Sequence, residues 1–115
     1  MEFKDLIVYQ KTLFVYAEID LKILSMKDVD RALKDQLRRA SLSIVLNIAE
    51  GSSRFSAADR KNFFVISCGS AFECAAIPDL IGISLNKRFP EIDQTLVEIS
   101  KILFKMITTL KNAIR

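Results

Sequence analysis

The sequence predicts an all-α protein, an antiparallel up-down-up-down four-helix bundle formed by residues 1–115 as a single domain. Three observations predict it. The chain holds only three Gly and two Pro, too few turn formers for many short strands. Apolar residues make up 50% of it, enough to build a core without disulfide or metal staples. They recur at steps of three and four, the spacing that gathers them on one side of a helix.

The first helix is predicted from Asp5 to Leu24, with Leu6, Tyr9, Leu13, Tyr16 and Ala17 sharing a face, and Ser25 to Asp28 reads as a polar connection. Asp28 or Asp30 can cap the second helix, which is expected to end at Gly51. Leu33, Leu37, Ala40, Ile44 and Ile48 form its core stripe. Its outer face is charged in the first half, through Arg31, Lys34 and Arg38, and apolar in the second, through Leu42, Val45, Leu46 and Ala49. A helix segment apolar on every side is buried on every side. That half is therefore expected to meet another subunit.

Ser56, with Asp59 three residues on, has the pattern of a helix cap after the connection Gly51-Ser52-Ser53. The third helix carries Phe63, Phe64, Cys68, Ala71 and Ala75 on its core side, and Pro78 is expected to kink or end it. Its other side, with Asn62, Ile66, Gly69, Glu73 and Ala76, has small residues that would admit a neighbouring helix. Gly82 and Asn86 are candidate stops in a last loop before Pro90. The fourth helix has the clearest seam, through Leu96, Ile99, Leu103, Met106, Leu110 and Ala113. Val97 and Phe104 lie off that seam and form a second candidate oligomer contact.

Several chemistries have no residues to carry them. With no histidine, the chain lacks Ser-His and Cys-His pairs and the Glu-x-x-His ligands of di-iron bundles. There is no glycine-rich phosphate loop and no dense acidic cluster for a metal. Cys68 and Cys74 match no common zinc or redox spacing and read as free, buried thiols of a reducing, cytoplasmic compartment. The apolar stretch from Asn62 to Pro78 is shorter than the roughly 20 residues of a membrane span. No enzyme activity, metal, cofactor or membrane association is expected.

Two polar features call for a role. Gln36, Arg39, Ser43, Asn47 and Glu50 fall along one side of the second helix, where Ser70 and Glu73 of the third can meet them. Lone carboxylates in apolar segments are costly to bury unless partnered, so this set is expected to be a polar network fixing helix register or subunit orientation, or else a ligand pocket. The second feature is basic. Arg31, Lys34 and Arg38 stand together on the second helix, and Arg54, Arg60 and Lys61 surround the turn into the third, with Phe55 between them as a stacking surface for an unpaired base. Lys101, Lys105, Lys111 and Arg115 add charge to the fourth helix. The excess is small overall, 17 basic against 14 acidic residues, so placement matters more than the total.

At the second helix the sequence becomes specific. Gln36-Leu37-Arg38-Arg39-Ala40, Ser43-Ile44, Asn47-Ile48-Ala49-Glu50-Gly51 and Arg54 closely resemble the bacterial four-helix bundle family of 23S-rRNA intervening-sequence proteins. The opening Phe3-Lys4-Asp5-Leu6 with Tyr9, and Gly69-Ser70 followed by Glu73, resemble the same family. Val45 stands where many members have proline, and Tyr9 where tryptophan is common. The resemblance implies an up-down bundle assembled as a ring, commonly a pentamer. It also implies kinship with the accessory proteins of diversity-generating retroelements, which bind nucleic acid and a reverse transcriptase. The resemblance further implies a family many of whose members are encoded within insertions in large-subunit rRNA genes, a genomic location that carries no binding information.

Two functions are therefore expected as alternatives. One is a non-enzymatic, ring-forming homo-oligomer that binds RNA or DNA through Arg31, Lys34, Arg38, Arg54, Arg60 and Lys61. The other is a scaffold on which a partner protein docks.

Overall fold

The computed structural model describes residues 1–114. Four helices account for nearly all of them: α1 (Ile7–Ile19, prolonged by a π-helical turn Asp20–Leu24), α2 (Arg31–Ser53), α3 (Ala57–Leu85) and α4 (Pro90–Ala113). A single 3₁₀ turn, Glu2–Asp5, precedes α1. Each helix packs on its sequence neighbours and α4 closes on α1, giving the cyclic order α1-α2-α3-α4. Cross-helix pairs fix the directions. Gln36 meets Glu73, Ser43 meets Ser70 and Ile44 meets Ser67, a descending register that makes α2 and α3 antiparallel.

The core is a continuous apolar column. Leu37, Ile44 and Ile48 of α2, Ile92, Leu96, Ile99 and Leu103 of α4, and Cys74 and Ile81 of α3 are all buried. The α2 stripe and the α4 seam read from the sequence follow these as far as Leu110, with Leu33, Met106 and Leu110 partly buried, but Ala113 at the end of the α4 seam is exposed. In α1 the stripe differs: Val8, Thr12, Val15, Ile19 and Ile23 face inward, whereas Leu6, Leu13, Tyr16 and Ala17 are exposed. Helix α1 is apolar on most sides, so spacing alone could not choose its roll. The roll adopted buries Val8, Thr12, Val15, Ile19 and Ile23, and partly exposed ion pairs to α4, Lys11 to Glu98 at 2.8 Å and Lys22 to Glu91 at 3.4 Å, flank that packed face.

Three glycine and proline expectations also change. Gly51 does not end α2, which runs to Ser53; it lies buried inside the helix, where an added Cβ would come within 2.7 Å of the Phe64 ring. Glycine is needed there for close approach rather than for a turn. Pro78 neither ends α3 nor leaves the core, and Gly82 also stays helical. The stop is Asn86, in the left-handed conformation at φ 51°, with the Lys87 amide donating to the Gly82 carbonyl at 3.1 Å. Ser56 caps α3 as its spacing predicts, its hydroxyl accepting from the Asp59 amide at 3.1 Å. Asp30 takes the cap position of α2 without a side-chain bond.

Because α3 spans 29 residues, it is long and apolar enough by composition to cross a membrane, and the length argument made from Asn62 to Pro78 does not hold. What ties α3 into the bundle is burial: half of its most apolar window is covered by the other helices. Ser67, wholly buried, donates to the Ile44 carbonyl at 2.9 Å across the α2–α3 seam.

That seam predicts two outcomes. Gly51→Ala improves helix propensity by about 1 kcal/mol but overpacks against Phe64 by about 1–3 kcal/mol, so a net loss near 1 kcal/mol is expected in urea unfolding. Ser67→Ala should lower stability by about 1 kcal/mol by removing the cross-helix bond. An unchanged urea midpoint for both variants would mean that the seam is looser than its geometry.

Candidate nucleic-acid interface

The six basic residues do not form one patch. Arg31, Lys34 and Arg38 lie at the start of α2, while Arg54, Arg60 and Lys61 surround the turn from α2 to α3. From Arg38 to Arg54 the helix axis alone advances about 24 Å, at about 1.5 Å per residue. The two groups therefore occupy opposite ends of the bundle.

Their side chains differ in how far they are committed. Lys34 is half-buried, and its ammonium donates to the carbonyls of Leu24, at 3.4 Å, and of Met26. It closes the end of the π-helical turn onto α2, a structural duty that its sequence position does not announce. Arg38 pairs with Asp35 at 3.1 Å, and Arg54 with Glu50 at 3.0 Å. Both pairs are about half exposed, and such pairs contribute only about 0–1 kcal/mol, so a phosphate can replace either acid at small cost. Arg31 and Lys61 have no ion-pair or hydrogen-bond partner among the described residues. Arg115 lies outside the described residues.

The turn itself is braced. The Arg54 guanidinium also sits 4.8 Å from the centre of the Phe63 ring, and Arg60 Nε donates to the Arg54 carbonyl at 2.6 Å. Between them Phe55 stands fully exposed.

The predicted polar network resolves into three separate pieces. Gln36 donates to Glu73 at 3.1 Å. Ser70 donates to the Ser43 hydroxyl at 2.7 Å, and Asn47 donates to that same hydroxyl at 3.0 Å and to the Ser43 carbonyl. Glu50 is bonded to Arg54 instead, while Arg39 is exposed and joins none of the three. Glu50 and Glu73 are both exposed, so the cost of burying them, which motivated the expectation, does not arise. Their apolar neighbours in sequence turn to other sides of the helices. The fully buried serine of the seam, Ser67, belongs to no such set in the sequence, where one hydroxyl in an apolar run gives no sign of its partner.

The expected oligomer contacts are at the surface. Leu42 and Leu46 on α2 are 43% and 52% exposed, and Val97 and Phe104 on α4 are 45% and 52% exposed. Val45 and Ala49 are half-buried beside the first pair. Phe72 of α3, absent from the expectation, joins the α4 pair: its ring lies 6.0 Å from that of Phe104, and it is itself largely exposed. Spacing gave no signal for it, since four residues after Cys68 falls beside the α3 core stripe.

Both cysteines are free and buried. Burial pushes the Cys68 thiol up and, with a smaller push from the Glu73 charge, takes Cys74 up to about 12. Neither is a nucleophile near neutral pH. Among the described residues no group of three metal-ligating side chains is gathered.

A four-helix bundle with outward apolar side chains and a braced basic turn defines the class of small all-helical proteins to which this chain belongs. Residues 4–105 match the family described as 23S rRNA-intervening sequence protein, and the chain belongs to that family. A solved structure from Bacteroides thetaiotaomicron VPI-5482, of a protein with unknown function from the S23 ribosomal protein family, is similar to it with a TM-score of 0.79. The two are 25% identical over 88% of this chain and 98% of that one. No curated protein matches the chain.

Lys34→Met should cost about 1–2 kcal/mol of stability, by leaving two carbonyls without their charged donor. Thermal unfolding of the variant checks this. The thiols supply a second check. At pH 8 neither should react with a disulfide reagent in the folded protein, and both should react at once in urea.

Proposed function

We propose that the protein is a non-enzymatic homo-oligomer that closes into a ring and binds nucleic acid mainly through phosphate contacts. The observation carrying this reading is that large apolar side chains stay exposed on every helix, and that two of these groups fall on opposite sides of the bundle. Leu42 and Leu46 point out from α2, whereas Val97 and Phe104 point out from α4, with Phe72 beside them. Helices α2 and α4 are diagonal in the cyclic order. A patch that pairs with a different patch makes a head-to-tail contact, and head-to-tail contacts close into rings when the rotation per copy divides the circle. Five copies is the number implied by the resemblance noted for the sequence.

Ring closure makes the small positive excess useful. Each copy contributes Arg54, Arg60 and Lys61 at one end of the bundle, so a ring presents them repeatedly around one rim. Several weak phosphate contacts made together gain from effective concentration, and each neutralised phosphate releases counterions. Recognition of this kind is weakly sequence-specific and strongly salt-dependent. The scaffold function remains the competing reading, in which the same rim meets an acidic protein surface.

Light scattering on the eluting protein should give a multiple of the chain mass, and Leu42→Asp or Phe104→Asp should reduce it to a folded single copy. The assembled species should bind labelled RNA or DNA at micromolar concentration or tighter at low salt. Reversing charge with Arg60→Glu and Lys61→Glu should weaken that binding at least tenfold and flatten its salt slope by about two phosphates. An assembled protein that binds neither polymer at low salt would instead favour a protein partner.

A further inference from the structure

We infer that the α2–α3 turn and the cleft beside it form a base-stacking site for single-stranded nucleic acid, so that the protein prefers unpaired strands to duplex. The inference rests on the nucleic-acid reading above and deepens it. Phe55 is fully exposed, although the turn that holds it is fixed on both sides. Ser56 caps α3, Arg60 holds the Arg54 carbonyl at 2.6 Å, and the Arg54 guanidinium is itself held by Glu50 at 3.0 Å and by the Phe63 face. A ring with both faces in water contributes nothing to the core, and a braced backbone presents it at little further entropic cost on binding.

Arg60 connects this ring to a second surface. The same side chain lines a cleft of about 700 Å³ between the N-terminal segment, the start of α3 and the end of α4. Phe3, Phe64, Ile102, Met106 and Leu110 make the cleft mostly apolar, Arg60 and Lys105 supply positive charge, and Glu2 is its one acid. That volume lies within the range of small-ligand pockets. The combination suits a nucleotide: a flat base against apolar walls, with its phosphate beside a cation. Since Arg60 donates to the carbonyl of Arg54, the residue before Phe55, and also lines the cleft, a phosphate over Arg60 can join a base stacked on Phe55 to a neighbouring base at the cleft.

Such a site discriminates by strand state. In a duplex every base face is covered by its neighbours, and only base edges show in the grooves. Neither Phe55 nor the cleft can reach a paired face. In a single strand every base offers a face, and stacking on aromatic side chains is tolerant of sequence. The phosphate contacts of Arg54, Arg60 and Lys61 serve both forms alike, so the preference comes from the uncharged part of the site.

The test uses the full chain with two fluorescein-labelled RNA probes of equal length, a 12-mer of uridine and a 12-base-pair duplex. Wild type should bind the single strand more tightly. Phe55→Ala should weaken single-strand binding about tenfold, leave duplex binding and thermal stability unchanged, and keep the salt slope of wild type, since no charge is lost. Phe55→Tyr should restore single-strand affinity. A strand carrying 2-aminopurine should lose fluorescence on wild type and regain it with Phe55→Ala. Equal loss for both probes, or none for either, would overturn the stacking site while leaving the phosphate-binding reading in place. Absence of any binding by wild type at low salt would overturn both.

Discussion

Helices α2 and α3 come together over a seam made of residues with little side chain. Gly51 lets the Phe64 ring rest on the α2 backbone, closer than any Cβ would allow. One turn further along, Ser67 reaches the Ile44 carbonyl, and Ser70 reaches Ser43. Small residues bring backbones near, and hydroxyls then satisfy themselves across the gap, which sets the register to within one residue. The rest of the bundle follows from this. With α3 fixed on α2, the short connection at Arg54–Ser56 is drawn tight and its side chains turn outward. The large aliphatics of α4 can then fill the remaining side of the core.

Much of this architecture was legible in the residues. The α4 seam from Leu96 to Leu110 and the α2 stripe from Leu33 to Ile48 are spaced so regularly that their inward faces follow from periodicity alone. The Ser56 cap was equally visible, because capping is a local interaction between residues three apart. The roll of α1 was not. Two apolar stripes compete on it, and the choice is made by packing against α2 and α4, which spacing within α1 does not show. Gly51 read as a stop because a glycine after a helix usually is one; only the position of Phe64 shows that it serves packing instead.

The candidate site divides in the same way. Residue types were readable and their grouping was not, since a helix separates what the sequence places side by side. Two basic clusters fifteen or so residues apart lie about 24 Å apart on one rod. Lys34 shows how a side chain that reads as surface charge can be consumed by local structure. Its partners are carbonyls of a π-helical turn, and no pattern of side chains announces them. The carboxylates erred in the other direction. Glu50 and Glu73 sit among apolar letters, yet a helix turns about 100° per residue, so apolar neighbours in sequence need not be neighbours in space.

The chain has no histidine, and its two thiols are held protonated by burial. The chain therefore lacks the side chain whose ordinary range lies between about pH 6 and pH 8, and burial withholds its thiols from that range. Its electrostatic field is therefore effectively constant across the range that cells occupy. A partner held by that field would not be let go by acidification, and its release would have to come from competing ions, competing polyanions or a change in the partner itself.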